Sequence, residues 1–343
     1  MLSAENLVGG RESVQVIDRR LSVAPMMDWT DRHCRFLHRL YAPHALLYTE
    51  MIVAPAIVRG NAQKLLAHDP AEHPVALQLG GCDPAELAVA ARIGAEAGYS
   101  EINLNVGCPS DRVKSGSFGA CLMLRPELVA ECTQRMREAV PAGVPVTVKC
   151  RIGIDARDDY EFLAGFAETL LHAGVDALIV HARVAMLGGL SPKENREIPP
   201  LKYGHVHRLK RDYPALPIVI NGGLGDLDSL RDHLAAGLDG VMLGRAAYHR
   251  PALLAEAECA ISDPAWVVPE PREIIERLVP YVRSQLLQGA RLHSITRHLH
   301  GLMAGRQGAR AWRRFLSDIA SRPGTPPEAL FSALCLLNQG LAA

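Results

Sequence analysis

The sequence has no surplus of charge of either sign. Its 37 lysine and arginine residues are balanced by 37 aspartate and glutamate residues. A chain without net charge attracts no polyanion through its overall field. Any nucleic-acid site must therefore come from a local cluster of cations.

Long apolar runs are also absent. No stretch of about 18 or more residues is apolar and free of charge, and the first part of the chain contains acids, arginines and a Gly-Gly pair instead of an apolar core. These absences argue against a membrane span and a signal peptide. We expect a cytoplasmic protein.

The 8 cysteines include no Cys-x-x-Cys pair and no zinc-ligand spacing. A chain of this kind is typical of a reducing compartment, in which scattered cysteines stay as buried thiols. We expect no metal site.

Short runs rich in Val, Ile and Leu alternate with alanine- and leucine-rich segments that have helical spacing. The runs predict strands at 21–24, 45–49, 75–79, 101–105, 146–150, 177–181, 218–221 and 240–243. The intervening segments predict helices, among them 84–97, 126–139, 160–173 and 228–236, and Gly98, Gly174 and Gly237 stand where helix-ending glycines are expected. Eight such units predict a TIM-type (β/α)8 barrel of the α/β class. A doubly wound open sheet is the alternative, but no GxGxxG follows the first strand.

The pattern changes near Pro264, Pro269 and Pro271, beyond which no strand is predicted. The later segments 274–287, 295–304, 309–320 and 326–337 have helical spacing instead. We therefore assign 1–262 to the barrel and 270–343 to a small all-helical C-terminal domain.

Polar residues recur where the predicted strands end: Gln78, Asn105, Lys149 and His181. Barrel enzymes have their active sites at these ends. Two further ends carry glycine, in Asn221-Gly222-Gly223 and in Gly244-Arg245. Because glycine lets backbone N–H groups approach an anion, and because these ends follow the last two strands, a cofactor with a phosphate group is expected there.

Cys108 lies just past the fourth predicted strand, at the start of a loop over 110–121 that contains Gly116 and Gly119. A loop of this kind can close over a substrate. The thiol is a candidate nucleophile, metal ligand or general acid. Since no second cysteine or histidine lies at ligand spacing, a metal is disfavoured, and the other two roles stay open.

Taken together, these motifs resemble the tRNA-dihydrouridine synthases, in particular the DusA type, over nearly the whole chain. The matching segments are APMMD at 24–28, LQLGG at 77–81, INLNVGCP at 102–109, VKCRIG at 148–153, VHAR at 180–183, SPKENR at 191–196, NGG at 221–223 and LGR at 243–245. Their common order on one barrel frame is far more specific than any single motif.

The resemblance implies an FMN cofactor and a set of residues around it. The implied contacts are Pro25, Met26 and Met27 beside the ring, Gln78 and Lys149 at its polar edge, His181 near it, and Asn221, Gly222, Gly223, Gly244 and Arg245 around the phosphate.

The resemblance also implies a reaction, the reduction of uridine to dihydrouridine at positions 20 and 20a of the tRNA D-loop. In this reaction FMN gives hydride from N5 to C6 of uracil, and Cys108 gives a proton to C5. Asn105 is expected to bind the edge of a uracil turned out of the tRNA. NADPH is the implied reductant.

From Arg277 to Ser317 the chain has eight arginines and no acidic residue. Such a segment predicts a phosphate-backbone site. Arg310 and Arg313 share a helix face, with Trp312 opposite. The resemblance makes Lys193, Arg196, Arg310 and Arg313 candidate tRNA contacts. No protein partner is indicated, and a monomer is expected.

Three other functions stay open on the residues alone. A flavin barrel that reduces a free pyrimidine has no use for the arginine-rich tail. A Schiff-base lyase would use Lys149 and would not be yellow. A non-catalytic tRNA-binding protein would leave Cys108 without a role.

Overall fold

Eight parallel strands close into a barrel. The computed structural model describes residues 17–110, 118–320, 322 and 324–339. The strands are β1 Leu21–Val23, β2 Leu46–Tyr48, β3 Ile52–Val53, β4 Val75–Gly80, β5 Glu101–Val106, β6 Val146–Arg151, β7 Leu178–His181, β8 Ile218–Asn221 and β9 Gly240–Leu243. They pair in the order β2-β1-β9-β8-β7-β6-β5-β4-β3, and a further pairing of β2 with β4 closes the ring.

All of the predicted strands are confirmed, and so is the barrel. The short strand β3 was not predicted, because two residues carry no periodic pattern; it pairs with the end of β4, outside the closed ring. The open-sheet alternative is wrong, since the pairing of β2 with β4 joins the two ends of the strand order and leaves the eight strands in a closed ring.

Helices follow most of the strands and cover the outside of the barrel. In this part of the chain they are α1 Arg32–Tyr41, α2 Ala54–Arg59, α3 Ala62–Leu65, α4 Pro84–Glu96, α5 Pro126–Ala139, α6 Tyr160–His172, α7 Tyr203–Asp212, α8 Leu227–Ala235, α9 Arg245–His249 and α10 Pro251–Ala257. The aspartates Asp83, Asp159 and Asp226 cap α4, α6 and α8 by accepting from the backbone N–H three residues ahead. Gly98 and Gly174 end α4 and α6 with φ of 93° and 77°, as predicted.

The inner and outer faces of the strands differ in chemistry. On β5, Ile102, Leu104 and Val106 face the helices as part of the large apolar core. The residues that alternate with them include Glu101 and Asn103, which are fully buried inside the barrel. A separate apolar cluster fills much of the rest of the interior: Ala24, Leu46, Tyr48, Ala76, Ile179, Val219 and Met242.

Beyond Ser262 the described residues form helices and turns. The α-helices are α11 Pro271–Leu287, α12 Leu292–Thr296, α13 Ala309–Ala320 and α14 Ala329–Gln339. The predicted regular helix at 295–304 is wrong: α12 ends at Thr296, and a 3-10 helix, Arg297–Gly301, follows. The division into two domains stays a prediction.

The tail helices pack against the barrel through aromatic contacts. Tyr281 of α11 stacks on Phe36 of α1 with ring centroids 3.8 Å apart, and its hydroxyl lies 2.7 Å from His33 Nδ1. Trp312 of α13 is fully buried and donates from Nε1 to the Leu299 carbonyl at 2.8 Å. None of the helices in the described ranges is both long and apolar enough to cross a membrane.

Asp31 joins the barrel to the tail. Its side chain caps α1, and its Oδ2 accepts from Arg297 at 2.6 Å, while His298 Nε2 lies 3.0 Å from Oδ1. Burial alone raises the pKa of Asp31, but the His298 side chain, the Cys34 N–H and Arg297 outweigh it, so the pKa falls well below its usual range. The carboxylate is thus stabilised by groups from both parts of the chain.

We predict that Asp31→Asn, which keeps the cap but loses the charge, lowers the free energy of unfolding at pH 7 by about 2 kcal/mol. A lowered carboxyl pKa stabilises the fold above about pH 4 and stops doing so as the pH falls through the folded-state pKa. The difference between wild type and variant is therefore full at pH 7 and shrinks below about pH 4. Urea denaturation across this range measures it.

The matched control is Asp83→Asn, because Asp83 caps α4 with no ion pair found among the described residues. This variant is expected to unfold like wild type. Equal loss in both variants, or a difference that does not change with pH, contradicts the role of the Asp31 charge.

Candidate functional site

The predicted polar residues meet at one end of the barrel. Pairing of β5 with β6 sets Asn105 beside Lys149, and pairing of β7 with β8 sets His181 beside Asn221. Gln78 hydrogen-bonds Asn105 from β4. Five successive strands thus direct polar side chains to their carboxyl ends, as expected for a barrel active site.

Lys149 is held by the neighbouring strands. Its Nζ donates to Asn221 Oδ1 at 2.9 Å, and Asn221 Nδ2 donates to the Met242 carbonyl at 2.8 Å. Burial, with a further contribution from the nearby charge of Arg151, lowers the pKa of Lys149 to about 8. The cation is therefore costly to keep in this site and is favoured by any acceptor or negative charge placed beside it.

His181 presents a buried ring nitrogen, Nδ1, that has no hydrogen-bond partner among the described residues. Burial lowers its pKa well below the usual value, and the charges of Arg151 and Lys149 act in the same direction. The imidazole is therefore neutral at pH 7. A buried polar atom without a hydrogen bond is unfavourable, so Nδ1 fits a site that a polar ligand completes.

Two glycines beside His181 leave room that any side chain would fill. Gly222 has φ of 107°, and a Cβ there would lie 3.1 Å from His181 Nε2. Gly223 has φ of 74°, and a Cβ would lie 2.5 Å from Leu201 Cδ1 and 2.7 Å from the Tyr203 hydroxyl. Both positions therefore require glycine, and the predicted contact of their backbone N–H groups with a phosphate stays a prediction.

Gly244 and Arg245 lie at the start of α9, next to β9. The Arg245 guanidinium forms an ion pair with Glu197 and donates to the Arg196 carbonyl at 3.3 Å. It therefore ties this strand end to the loop after β7. Its predicted contact with a phosphate stays a prediction and depends on the remaining N–H groups.

The loop after β1 carries the three residues predicted beside the ring. Thr30 Oγ1 accepts from Met26 N at 2.9 Å, and Asp28 has φ of 65°, which makes a tight turn. Pro25 and Met26 are half-buried, whereas Met27 is 56% exposed. The turn thus presents an apolar, polarisable side chain at the mouth.

Cys108 lies in a turn that Asn105 caps. The Asn105 Oδ1 accepts from Gly107 N at 3.1 Å and from Cys108 N at 3.0 Å. The Cys108 carbonyl accepts from Ala120 N at 3.0 Å, and its Sγ lies 3.4 Å from Ser110 Oγ. The predicted covering loop, including Gly116, falls largely outside the described residues.

Gln78 and Asn105 have fewer free groups than the sequence suggests. Asn105 Nδ2 donates to Gln78 Oε1 at 2.8 Å, and Gln78 Nε2 donates to Asn103 Oδ1 at 2.8 Å. Each amide nitrogen has two hydrogens. Among the described residues, one N–H on each side chain therefore has no acceptor and can donate to a ligand. A ligand donor that approaches Asn105 Oδ1 would compete with the N–H groups of Gly107 and Cys108.

Arg151 is a site residue that sequence reasoning missed. It is buried; its Nε donates to the Gly107 carbonyl at 3.0 Å, and its Nη1 donates to the carbonyls of Val184 and Asn195 at 3.0 and 2.9 Å. Burial lowers its pKa to about 10, so it stays charged at pH 7. Arg151 joins the Cys108 turn to the loop that follows β7. The available signal was its position two residues after Lys149, on the same face of β6.

The cationic candidates for tRNA contact are all exposed, with Lys193 and Arg196 after β7 and Arg310 and Arg313 on α13. The arginine-rich segment is less free than predicted, however. Arg283, Arg297 and Arg306 form ion pairs with Glu328, Asp31 and Glu270 respectively. Acids distant in sequence thus neutralise part of the segment. Among the described residues, no ion pair is found for its other arginines, Arg277, Arg291, Arg310, Arg313 and Arg314.

Comparison with solved structures agrees with the fold. A 2-naphthoyl-CoA reductase complex superposes with a TM-score of 0.56 at 13% identity, over 70% of this chain and 50% of that chain. An old yellow enzyme homologue from Zymomonas mobilis superposes with a TM-score of 0.50 at 14% identity, over 68% of this chain and 86% of that chain. At these identities the likeness establishes the barrel alone.

Comparison of sequences identifies the family. The model of the family described as dihydrouridine synthase (Dus) matches residues 22–335. A tRNA-dihydrouridine(20/20a) synthase of Shewanella oneidensis is 53% identical over 95% of this chain and 96% of its own. Proteins of the same name from Xanthomonas campestris and Synechocystis are each 55% identical, over 89% and 92% of this chain and 90% and 93% of theirs. The chain belongs to the dihydrouridine synthase family.

Proposed function

We propose that this protein is a flavin-dependent tRNA-dihydrouridine synthase that reduces the C5=C6 bond of uridines at positions 20 and 20a of the D-loop. The match to relatives of that name, at identities above half and over nearly the full chain, carries the proposal. The barrel mouth supplies matching chemistry: a thiol, a partly buried lysine, and an imidazole nitrogen that has no partner among the described residues.

FMN is the flavin we propose, and the residues at the mouth fit it. The N–H groups of Lys149 and Gln78 suit the polar edge of the ring, and His181 Nδ1 gains the partner that it does not find among the described residues. Pro25, Met26 and Met27 offer the ring an apolar surface. The residues proposed around the phosphate are Asn221, Gly222, Gly223, Gly244 and Arg245. When bound and reduced, FMN supplies the hydride for C6 of uracil.

Cys108 is the proposed acid. The C5=C6 bond is conjugated with the C4 carbonyl, so addition at C6 leaves negative charge on C5 and O4. Transfer of the proton from Cys108 Sγ to C5 neutralises this charge and leaves a thiolate. The positive charges of Lys149 and Arg151 both interact with Cys108.

The tRNA is held by cations on both sides of the mouth. A uridine in the folded elbow must turn out to reach the barrel interior. The second N–H of Asn105, which has no acceptor among the described residues, is the proposed contact to the uracil edge. Lys193, Arg196, Arg310 and Arg313 are the proposed phosphate contacts. NADPH as reductant, a monomeric state and a cytoplasmic location remain expectations from the sequence.

The direct experiment supplies the purified yellow protein with NADPH and an unmodified tRNA transcript, and maps dihydrouridine. We expect the product at positions 20 and 20a and no turnover of free uridine or uracil. Turnover of a free pyrimidine in preference to tRNA favours the other flavin enzyme. Trapping of Lys149 by borohydride with a carbonyl substrate favours the Schiff-base lyase.

We predict that Cys108→Ala slows single-turnover reduction of tRNA by about 100-fold or more, the range of general acid catalysis. Binding of FMN and of tRNA is expected to stay at wild-type affinity, since the thiol contributes to neither. The control is Cys121→Ala, which changes another half-buried thiol on the same segment. Unchanged single-turnover rates in Cys108→Ala reject the acid assignment.

We predict that affinity for FMN falls as the pH rises through about 8, because Lys149 loses its charge there. A lysine with a lowered pKa is a cation below that pKa and a neutral amine above it. Fluorescence quenching of FMN by the cofactor-free protein measures affinity between about pH 6 and 10. Lys149→Met is expected to bind weakly at every pH, and Lys149→Arg to bind without this pH dependence. If FMN affinity falls with pH equally in wild type and in Lys149→Arg, the dependence does not come from the charge of Lys149.

We predict that Arg313→Ala weakens tRNA binding and lowers the salt slope by about one unit, as the loss of one phosphate contact does. The matched control is Arg306→Ala, since Arg306 is also exposed but pairs with Glu270. Filter binding at several salt concentrations separates them. Equal slopes for Arg313→Ala and wild type remove Arg313 from the interface.

A further inference from the structure

A continuous chain of hydrogen bonds runs inside the barrel from Cys108 to Glu101. Asn105 accepts from Cys108 N at 3.0 Å and donates to Gln78 at 2.8 Å. Gln78 donates to Asn103 at 2.8 Å, and Asn103 donates from Nδ2 to Thr147 Oγ1 at 2.8 Å. The Thr147 hydroxyl donates to Glu101 Oε1 at 2.6 Å. Every donor in this chain points toward Glu101.

Chemistry at both ends determines that direction. Glu101 is fully buried, and its Oε2 accepts from Arg19 Nε and Nη2 at 3.0 and 2.6 Å. A carboxylate can only accept, so Thr147 must donate to it. At the other end, backbone N–H groups can only donate, so Asn105 must face Gly107 and Cys108 with its oxygen.

The amides between these ends have no independent choice of orientation. Reversing the amide of Gln78 alone turns two hydrogen bonds into an O···O and an N···N contact, both with buried partners. Leaving buried polar groups unpaired costs about 1–3 kcal/mol each. Bonds aligned in one direction also polarise one another. The orientation of Gln78 and Asn105 at the mouth is therefore coupled to groups deeper in the barrel.

We propose that Thr147 and Glu101 are positioning residues for the reaction: they set the amide orientation of Gln78 and Asn105, and through Asn105 the turn that holds Cys108. This inference rests on the proposed function. Glu101 begins β5 and Asn105 lies four residues further on. At about 3.3 Å per residue, the effect of Glu101 on the orientation of Asn105 therefore spans about 13 Å. None of the groups at the mouth needs to touch either residue.

Loss of the anchor has a defined consequence at the mouth. Without the Thr147 hydroxyl, Asn103 Nδ2 loses its acceptor, and reversal of Asn103 no longer costs a bond at that end. Reversal of Gln78 and Asn105 is then opposed only at the mouth, by the loss of the bonds from Gly107 N and Cys108 N. A reversed Asn105 presents oxygen where uracil is to meet an N–H, and it faces the Cys108 turn with donors instead of an acceptor.

Tyr48 provides a matched control. Its hydroxyl donates to the same Glu101 Oε1 at 2.6 Å and also interacts with the Thr147 side chain, but it is not one of the links from Thr147 through Asn103 and Gln78 to Asn105. Burial and the adjacent Glu101 raise the pKa of Tyr48 well above its usual value, so its hydroxyl stays protonated and donates. Tyr48→Phe and Thr147→Val therefore each remove one buried hydroxyl from the same carboxylate, and only the second interrupts the chain.

The test compares Thr147→Val, Thr147→Ser and Tyr48→Phe as FMN-loaded proteins. We expect similar losses of stability in Thr147→Val and Tyr48→Phe by urea denaturation. We expect Thr147→Val to lower kcat for tRNA reduction at least tenfold with little change in KM, and to shift the visible absorption bands of the flavin. Tyr48→Phe is expected to keep kcat within about twofold of wild type and to leave the flavin bands in place. Thr147→Ser is expected to restore the wild-type kcat and the wild-type bands.

Equal kcat and equal flavin spectra in Thr147→Val and Tyr48→Phe overturn the proposal, since the chain is then only structural. If Thr147→Val does not fold, Thr147→Ala removes the same hydroxyl and is judged by the same criteria. A wild-type protein that leaves tRNA unreduced contradicts the proposed function instead. The flavin spectra need no RNA, so a band shift in Thr147→Val but not in Tyr48→Phe still supports the amide ordering, and its absence still rejects it.

Discussion

The inner faces of β4, β5 and β6 carry polar side chains in a space closed to water, and each of them must find a partner inside the barrel. This constraint shapes the whole site. The ion pair of Arg19 with Glu101 satisfies the deepest charge, and the side chains above it are satisfied in sequence up to Cys108 N. The mouth of the barrel thus rests on a hydrogen-bonded part of the interior, while an apolar cluster occupies much of the rest of the interior.

A second constraint couples the loops around the mouth. Arg151 is buried with carbonyl acceptors from the Cys108 turn and from the loop after β7. Arg245 connects that same loop to the start of α9. Asp31 extends the connection to the helical tail through Arg297. The proposed cofactor site, the proposed acid and the proposed RNA-facing surfaces are therefore linked by a few charged groups, each of which contacts two or more segments distant in sequence.

Much of the fold and of the site could be predicted from local pattern. Apolar runs that end in polar residues located the strands and the mouth, and glycines such as Gly98 marked helix ends, because both signals depend only on neighbouring residues. Partners distant in sequence gave no such signal. The anchor of Thr147 on Glu101 and the bridging role of Arg151 follow from the barrel, which brings together strands and loops that no spacing relates. The pairing of Arg306 with Glu270 follows in the same way from the packing of the tail.

We propose that oxidation of a reduced flavin in this barrel is coupled to reduction of a uridine in tRNA. The most direct measurement mixes the anaerobically reduced flavoprotein with unmodified tRNA and follows flavin oxidation and dihydrouridine content in the same sample. We expect oxidised flavin and dihydrouridine to rise together in equal amounts, with the product at positions 20 and 20a. Flavin that stays reduced in the presence of tRNA, or that is oxidised without dihydrouridine being formed, contradicts it.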